Sequence, residues 1–215
     1  MPRPKERNSE LRDRLLDVAI ELLAAEGPAA VTTRRVAEAA DTSAPAIYEL
    51  FGDKAGLIRG VFFEGFRRLL THLDKLPPPT GKNSDIVEAV KAFRKFTQAN
   101  PRLFEVMYGN SFETFSPGPE EQSLGDSTRN ILVERVKAAT ASGEMHGDPV
   151  DIAHAVLALS IGLATQETAG WLGTTTSSRQ RRWNDATESL IRGYANNTAK
   201  SVSYTHLTLP TTPYV

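Results

Sequence analysis

The stretch TTRRVAEAADTSAPAIYELF, residues 32–51, contains two short helical patterns separated by a tight turn. Thr32 or Thr33 can cap the first helix and Ser43 the second, because a side-chain hydroxyl accepts a hydrogen bond from a free N–H group of the first helical turn. The second helix has too few apolar residues to form part of a core. These features predict a helix-turn-helix, a motif whose second helix lies in the major groove of DNA.

Small and apolar residues fit the two helices together. Ala37 and Ala40 allow the helices to cross closely, and Val36 and Ile47 are spaced to pack between them. A longer helix precedes this pair and ends at residues 27–28, where glycine and proline stop it. The apolar stripe of that first helix consists of Leu11, Leu15, Val18, Ala19 and Leu22.

Helical periodicity continues through the rest of the chain, and no segment shows a clear alternation of apolar and polar residues that would indicate a β-strand. A long fourth helix follows Asp53 and stops at the prolines that begin with Pro77, and residues 116–125 are predicted to form a loop. We therefore expect an all-α protein of about nine helices. Its first domain is a three-helix helix-turn-helix unit in residues 1–52, and a larger helical domain follows in residues 53–200.

The last segment, residues 201–215, matches nothing before it. It contains no Asp, Glu, Lys or Arg and has four threonines. Two interpretations stay open: a non-native segment read through at the end of a fragmentary gene, or a native disordered tail. We exclude it from the fold prediction.

The composition of the chain narrows the class of protein. Of the 215 residues, 40% are hydrophobic and 24% are charged, which is enough apolar material for a buried core. The absence of cysteine excludes a disulfide scaffold and a cysteine nucleophile. The N-terminus lacks the apolar run of a secretory signal, and the most apolar stretch, residues 155–164, is shorter than the ~18 residues of a membrane span. We expect a cytoplasmic protein with no membrane partner.

The stretch VTTRRVAEAADTSAPAIYELFGDKAGLI, Val31 to Ile58, resembles the TetR family of transcriptional repressors. The resemblance implies a dimeric regulator that binds double-stranded DNA at a palindromic operator and is released by a small hydrophobic effector. The positions that carry it are Thr33, Val36, Ala37, Ser43, Ile47, Tyr48, Phe51 and Lys54.

The same resemblance assigns roles on the DNA. Thr33 would bind a phosphate through its hydroxyl and backbone N–H at a helix N-terminus, while Tyr48 and Lys54 would hold further phosphates. Arg34 would face base edges, where its guanidinium suits guanine. The remaining residues implied at this surface are Thr32, Ser43, Ala44, Pro45 and Ala46. The alternatives are that Tyr48 only packs and that the arginines and Lys54 are solvated surface residues.

The charge of this region supports a competing hypothesis. Residues 1–52 contain seven Lys or Arg and nine Asp or Glu, whereas a DNA-binding domain is usually basic. Glu49 could accept a hydrogen bond from cytosine or simply repel DNA. A helix-turn-helix interaction protein with weak or lost DNA binding therefore stays open.

The last two predicted helices carry small residues that permit close helix approach, with bulky apolar residues beside them. TetR-like proteins dimerise through these helices in a four-helix bundle, so we expect a homodimer; the alternative is packing within one chain. The predicted interface consists of Ala155, Leu157, Ala158, Ile161, Gly162, Trp183, Leu190 and Ile191.

The middle of the chain is unusually aromatic. The pattern FTQANPRLFEVMYGN, Phe96 to Asn110, looks like the effector domains of one TetR subgroup, and an apolar pocket between helices would suit a small hydrophobic effector. Glu167 needs a partner, because a carboxylate among apolar neighbours is costly. The candidate pocket residues are Phe93, Phe96, Phe104, Met107, Tyr108, Phe112, Gln166, Glu167 and Trp171. The alternative for the aromatic residues is an ordinary core.

An α-helical enzyme that uses the aromatic region is a further alternative, which the sequence disfavours. It lacks a glycine-rich phosphate loop, a G-x-S-x-G elbow, an H-E-x-x-H helix and histidines at metal-ligand spacing. We expect no catalytic residue, no metal and no cofactor.

Overall fold

The computed structural model describes residues 4–109 and 118–195. Within these residues the chain forms nine α-helices, one short 3-10 turn and no strand, which confirms the all-α prediction. The helices are α1 (Pro4–Glu26), α2 (Thr33–Ala39), α3 (Ala44–Phe51), α4 (Lys54–Leu73), α5 (Asn83–Ala99), α6 (Pro101–Tyr108), α7 (Pro119–Ala141), α8 (Pro149–Thr168) and α9 (Thr176–Ala195).

The first three helices pack against one another, and their buried residues join those of α4 in one hydrophobic core. Val36 and Ile47 are fully buried between α2 and α3, as their spacing predicts. Thr32 caps α2, since its hydroxyl accepts the Arg35 backbone N–H at 3.2 Å. Ser43 occupies the capping position of α3, but its hydroxyl makes no capping bond. The reason is local: Pro45 has no N–H to donate, and the Ala46 N–H bonds the Ser43 carbonyl at 3.0 Å instead.

Helix α4 contacts both halves of the chain. It packs against α1 and α3 on one side and against α5, α6 and α7 on the other. Two of its glycines mark close approaches. A Cβ at Gly60 would lie 2.8 Å from Leu16 of α1, and a Cβ at Gly65 would lie 2.8 Å from the sulfur of Met107 in α6. The long helix is therefore part of the core of both regions.

The second half is a bundle of α5 to α9 around the far end of α4. The predicted loop at residues 116–125 is wrong from Pro119 onward, where α7 begins. Proline is tolerated in a first helical turn because its missing N–H has no intrahelical partner there. Helix α6 ends at Tyr108, and Phe112, which the sequence predicts as a pocket residue, lies outside the described residues.

Helix α8 is more apolar than the short stretch noted in the sequence. By length and composition alone, Pro149–Thr168 is the one helix in the described part of the chain that could cross a membrane. One such helix is weak evidence for a membrane protein, and α8 packs against α5, α7 and α9. Only 28% of its apolar window is buried within the chain, so much of an apolar helix faces outward.

A single carboxylate ties α5, α8 and α9 together. Glu167 of α8 accepts two hydrogen bonds from Arg94 of α5, at 3.0 and 2.8 Å, and one from Gln98 at 3.1 Å. The indole N–H of Trp183 in α9 donates a further bond at 2.7 Å. Burial acts to raise the pKa of Glu167, but these donors and the Arg94 charge outweigh it and hold the pKa below its ordinary value. The partner expected for Glu167 is thus Arg94.

This cluster should dominate the stability of the bundle. Glu167→Gln leaves the guanidinium of Arg94, which is only 8% exposed, without its counter-charge. We expect a loss of about 3 kcal/mol in the free energy of unfolding, measured by urea denaturation. Gln166→Ala, at the exposed neighbouring position, is the control and should change stability by less than about 0.5 kcal/mol.

The pH dependence of the free energy of unfolding gives a second test of the role of Glu167. A depressed carboxyl pKa contributes stability that is present above the ordinary pKa of glutamate and is lost as the pH falls through the depressed value. Acid should therefore destabilise the wild-type chain more steeply than Glu167→Gln. Equal acid sensitivity of the two proteins would contradict this role for Glu167.

Candidate DNA-binding surface and effector cavity

The start of α2 and the middle of α3 meet at the surface. The hydroxyls of Thr33 and Tyr48 lie 3.4 Å apart, although the residues are 15 positions apart in the chain. Tyr48 is 52% exposed, so its phenol is presented to solvent rather than packed in the core. The structure thus brings together two of the three residues predicted to bind phosphate, Thr33 of α2 and Tyr48 of α3.

The two arginines of α2 have different surroundings. The Arg34 side chain is 87% exposed and donates one hydrogen bond to Glu38, one turn along the same helix, at 2.8 Å. Arg35 donates two bonds to Glu26 at the end of α1, at 2.8 and 2.7 Å. Because the Arg34–Glu38 pair is exposed to solvent, it contributes little to stability, and Arg34 can exchange Glu38 for another acceptor at little cost. Arg35, in contrast, connects α2 to the end of α1 through its two bonds to Glu26.

The remaining predicted DNA contacts lie around this pair of helices. Ser43, Pro45 and Lys54 are exposed, and Lys54 is the first residue of α4. Ala44 and Ala46 are half-buried, and Ala44 packs against the core. Ala46 therefore remains the better candidate for an apolar contact with DNA.

The aromatic residues of the middle helices form a packed core and not an open pocket. Phe93, Phe96, Phe104 and Met107 are each at most 5% exposed. The rings of Phe93, Phe104 and Tyr108 contact one another with centroids 5.3 to 6.3 Å apart. Burial raises the pKa of the Tyr108 phenol. Four predicted pocket residues therefore fill space that a ligand would need.

Of the polar anchors predicted for an effector, Glu167 lines an open cleft of about 420 Å³ together with Gln98 and Arg179, whereas Gln166 and Trp171 do not. Glu167 is occupied by Arg94, Gln98 and Trp183. Trp171 is 77% exposed in the link after α8, and Gln166 is exposed. Neither lines the interior.

A small internal cavity lies instead between α4, α5, α7 and α8. Its volume is about 30 Å³, enough for one or two water molecules. Thr128 is 4% exposed, and its hydroxyl has no hydrogen-bond partner in the described part of the chain. Of the predicted pocket residues that the structure describes, Phe93 alone is in the wall. The cavity is lined by Leu73, Ala89, Val90, Phe93, Thr128, Ile131, Leu132, Leu157 and Ser160.

The periodicity of the sequence does not reveal this cavity, because all but two of its lining residues are apolar residues at the spacing of an ordinary buried helix face. The available signal was a hydroxyl, Thr128, on the same face of α7 as Ile131 and Leu132.

The predicted dimer residues divide into two groups. Trp183 is 2% exposed and Ile191 is 7% exposed, so their prediction as interface residues is wrong: both side chains are buried within the chain, Trp183 against Glu167 and Arg94. Ala158 and Gly162 of α8 are exposed. Ala155, Leu157, Ile161 and Leu190 are half-buried and reach the surface.

The chain matches known families over most of its length. The profile described as "Bacterial regulatory proteins, tetR family" matches residues 15–61, and the profile "Tetracyclin repressor-like, C-terminal domain" matches residues 86–190. No curated protein matches the sequence significantly.

Solved structures share the fold. A protein of unknown function from Rhodococcus sp. RHA1 is 26% identical, with a TM-score of 0.74 over 86% of this chain and 96% of the other. A TetR family regulatory protein from Rhodococcus RHA1 is 24% identical, with a TM-score of 0.65 over 86% and 97%. ActR, a TetR family protein from Streptomyces coelicolor in complex with (S)-DNPA, is 20% identical, with a TM-score of 0.58 over 85% and 95%. With its helix-turn-helix head, its helical second domain and both profile matches, this chain belongs to the TetR family of transcriptional regulators.

Proposed function

We propose that this protein is a homodimeric repressor that binds a palindromic operator and leaves it when a small, largely apolar effector binds the second domain. The observation that carries the proposal is the exposed Thr33–Tyr48 pair, with hydroxyls 3.4 Å apart at the junction of α2 and α3. Two hydroxyl donors beside a helix N-terminus suit one DNA phosphate.

On DNA, α3 would enter the major groove while the start of α2 faces the backbone. Lys54, exposed at the first turn of α4, adds a cation for another phosphate. Arg34 would exchange its exposed contact with Glu38 for a guanine edge or a phosphate. Ser43 and Ala46, at the start of α3, are short enough for that helix to approach the bases.

The excess of acidic residues in the first domain is the argument for the alternative, an interaction protein with lost DNA binding. Three of these acids are paired within the chain: Glu26 with Arg35, Glu38 with Arg34, and Asp17 with Arg68 of α4. Only the last of these pairs brings in a cation from outside residues 1–52, so pairing offsets a small part of the acidic excess. Glu49 is exposed on α3, and its negative charge remains an argument for the interaction-protein alternative.

Two heads are needed for useful affinity, because one head of this size binds weakly and loses affinity steeply with salt. The outward apolar face of α8, with Ala158, Ile161 and Gly162, is the surface we propose for pairing with a second copy. A symmetric pair would place its heads on half-sites about 34–36 Å apart.

The effector would bind where α4, α5, α7 and α8 surround the internal cavity. ActR, the Streptomyces relative, contains a small molecule in its own structure. Because this cavity is only about 30 Å³, an effector must bind a more open state of the bundle. A hundredfold preference for that state supplies about 2.7 kcal/mol of coupling per site, enough to release an operator.

Substitutions of the predicted DNA contacts test the proposed DNA-binding surface. Tyr48→Phe and Lys54→Ala should weaken specific and random duplexes about equally, and loss of the Lys54 charge should reduce the slope of log K against log salt by about 0.9. Arg34→Ala should weaken the specific duplex most, because it removes a base contact. Fluorescence anisotropy with the inverted repeat nearest the gene measures both.

Lys137→Ala is the matched control, since Lys137 is an exposed cation on α7 that pairs with Glu134. It should leave DNA affinity unchanged. Loss of affinity in Lys137→Ala equal to that in Lys54→Ala would mean that only overall charge matters. A wild-type protein that ignores every inverted repeat would favour the interaction-protein alternative.

A charge on the α8 face tests the dimer. Ala158→Arg should convert a wild-type dimer to a monomer at micromolar concentration in sedimentation, because it places a cation in an apolar contact. Operator affinity should fall with it. Ala141→Arg, exposed at the end of α7, is the control and should stay dimeric. A wild-type protein that sediments as a monomer, or a dimeric Ala158→Arg, contradicts the proposed interface.

A further inference from the structure

A buried cation on α7 has no carboxylate hydrogen-bonded to it in the described part of the chain. Arg135 of α7 is 7% exposed. Its guanidinium donates to two backbone carbonyls, that of Ile131 at 3.0 Å and that of Pro77 at 3.2 Å. Buried arginines are normally paired with an anion, because carbonyl dipoles replace only part of the lost hydration.

The carboxylate that acts on Arg135 is engaged elsewhere. Burial lowers the pKa of Arg135, and the charge of Asp85 offsets only part of this effect. Asp85 itself accepts hydrogen bonds from the backbone N–H groups of Thr80 and Lys82, at 2.6 and 3.3 Å. A guanidinium carries five N–H donors, so Arg135 has donors left for a further acceptor.

The same face of α7 carries a buried hydroxyl without a partner. Thr128 precedes Arg135 by seven residues, about two helical turns, and its buried hydroxyl lacks a partner among the described residues. Ile131 lies between them, lines the cavity, and supplies the carbonyl that Arg135 bonds. Thr128 thus places an unpartnered hydroxyl in the cavity wall, where Ser160 is the other polar residue, and the Arg135 guanidinium lies outside the wall, bonded to the carbonyl of the lining residue Ile131.

We propose that an amphipathic carboxylate binds in a site that forms when this cavity enlarges. Arg135 would bind the carboxylate through paired N–H groups, and Thr128 would donate a further hydrogen bond to the ligand. The apolar body would lie against Leu73, Phe93 and Leu157. This assignment rests on the proposed effector function and names the chemical class of the effector.

Ligand charge would also act directly on α4. The Pro77 carbonyl that Arg135 holds lies just beyond the end of α4 at Leu73. A carboxylate carries a full charge and would draw the guanidinium away from this neutral acceptor. Ile131 and Leu157, which are half-buried, have to move to enlarge the cavity. Ligand binding would therefore release the end of α4 while the pocket opens.

Matched ligands test the class. Octanoate, 1-octanol and inorganic phosphate are titrated into the full chain by calorimetry. Octanoate should bind the wild type at least tenfold more tightly than octanol, and phosphate should bind no better than octanol because it has no apolar body. Arg135→Met, which keeps the length and removes the charge, should abolish the preference for octanoate. Buried charges often tolerate such replacement, and a urea melt checks the fold.

Two further variants complete the experiment. Thr128→Val keeps the shape and should weaken octanoate several-fold. Lys137→Met removes an exposed cation from the same helix and should leave the preference intact. Equal weakening of octanoate and octanol in Arg135→Met would show that Arg135 is only structural. Absence of octanoate binding in the wild type, or phosphate binding as tight as octanoate, would also overturn the proposal.

Operator binding is measured in parallel, so the two proposals fail separately. A protein that binds its operator but shows no preference for octanoate keeps the proposed function and loses this site. A protein with the stated preference that ignores DNA keeps the site and loses the proposed function.

Discussion

Helix α4 is the constraint on which the rest of the structure depends, because both halves of the chain pack against the same 20 residues. At 1.5 Å per residue it spans about 30 Å, from Lys54 next to the helix-turn-helix to Leu73 at the cavity. The close contacts at Gly60 and Gly65 leave little space on either side. Helix α4 is therefore packed closely against both regions.

Ion pairs strengthen this link. Glu64, in the middle of α4, is only 6% exposed and accepts hydrogen bonds from Arg67 and Arg68, while Arg68 also pairs with Asp17 of α1. Burial acts to raise the pKa of Glu64, but the two guanidiniums outweigh it and keep the pKa below its ordinary value. The carboxylate therefore stays charged at neutral pH. Helix α1 is held to α4 by charge as well as by apolar packing.

The sequence is sufficient to predict those features of the fold that depend on one local rule. The hydroxyl of Thr32 caps a helix, and Val36 and Ile47 fill the space between two short helices. It was insufficient where a residue's neighbours decide. Apolar periodicity identifies a buried face but not what covers it, so Trp183 was assigned to the dimer although it is covered by its own chain. The aromatic cluster was ambiguous for the same reason, since packed rings and pocket walls share one pattern.

Amide hydrogen exchange with and without an operator duplex tests the coupling through α4 most directly. Because coupling is reciprocal, DNA bound at the head should change exchange at the cavity end of α4 and in the facing part of α7, as well as in α2 and α3. Changes confined to the head, residues 32–58, would show that the two ends of α4 are independent and would contradict regulation through this helix.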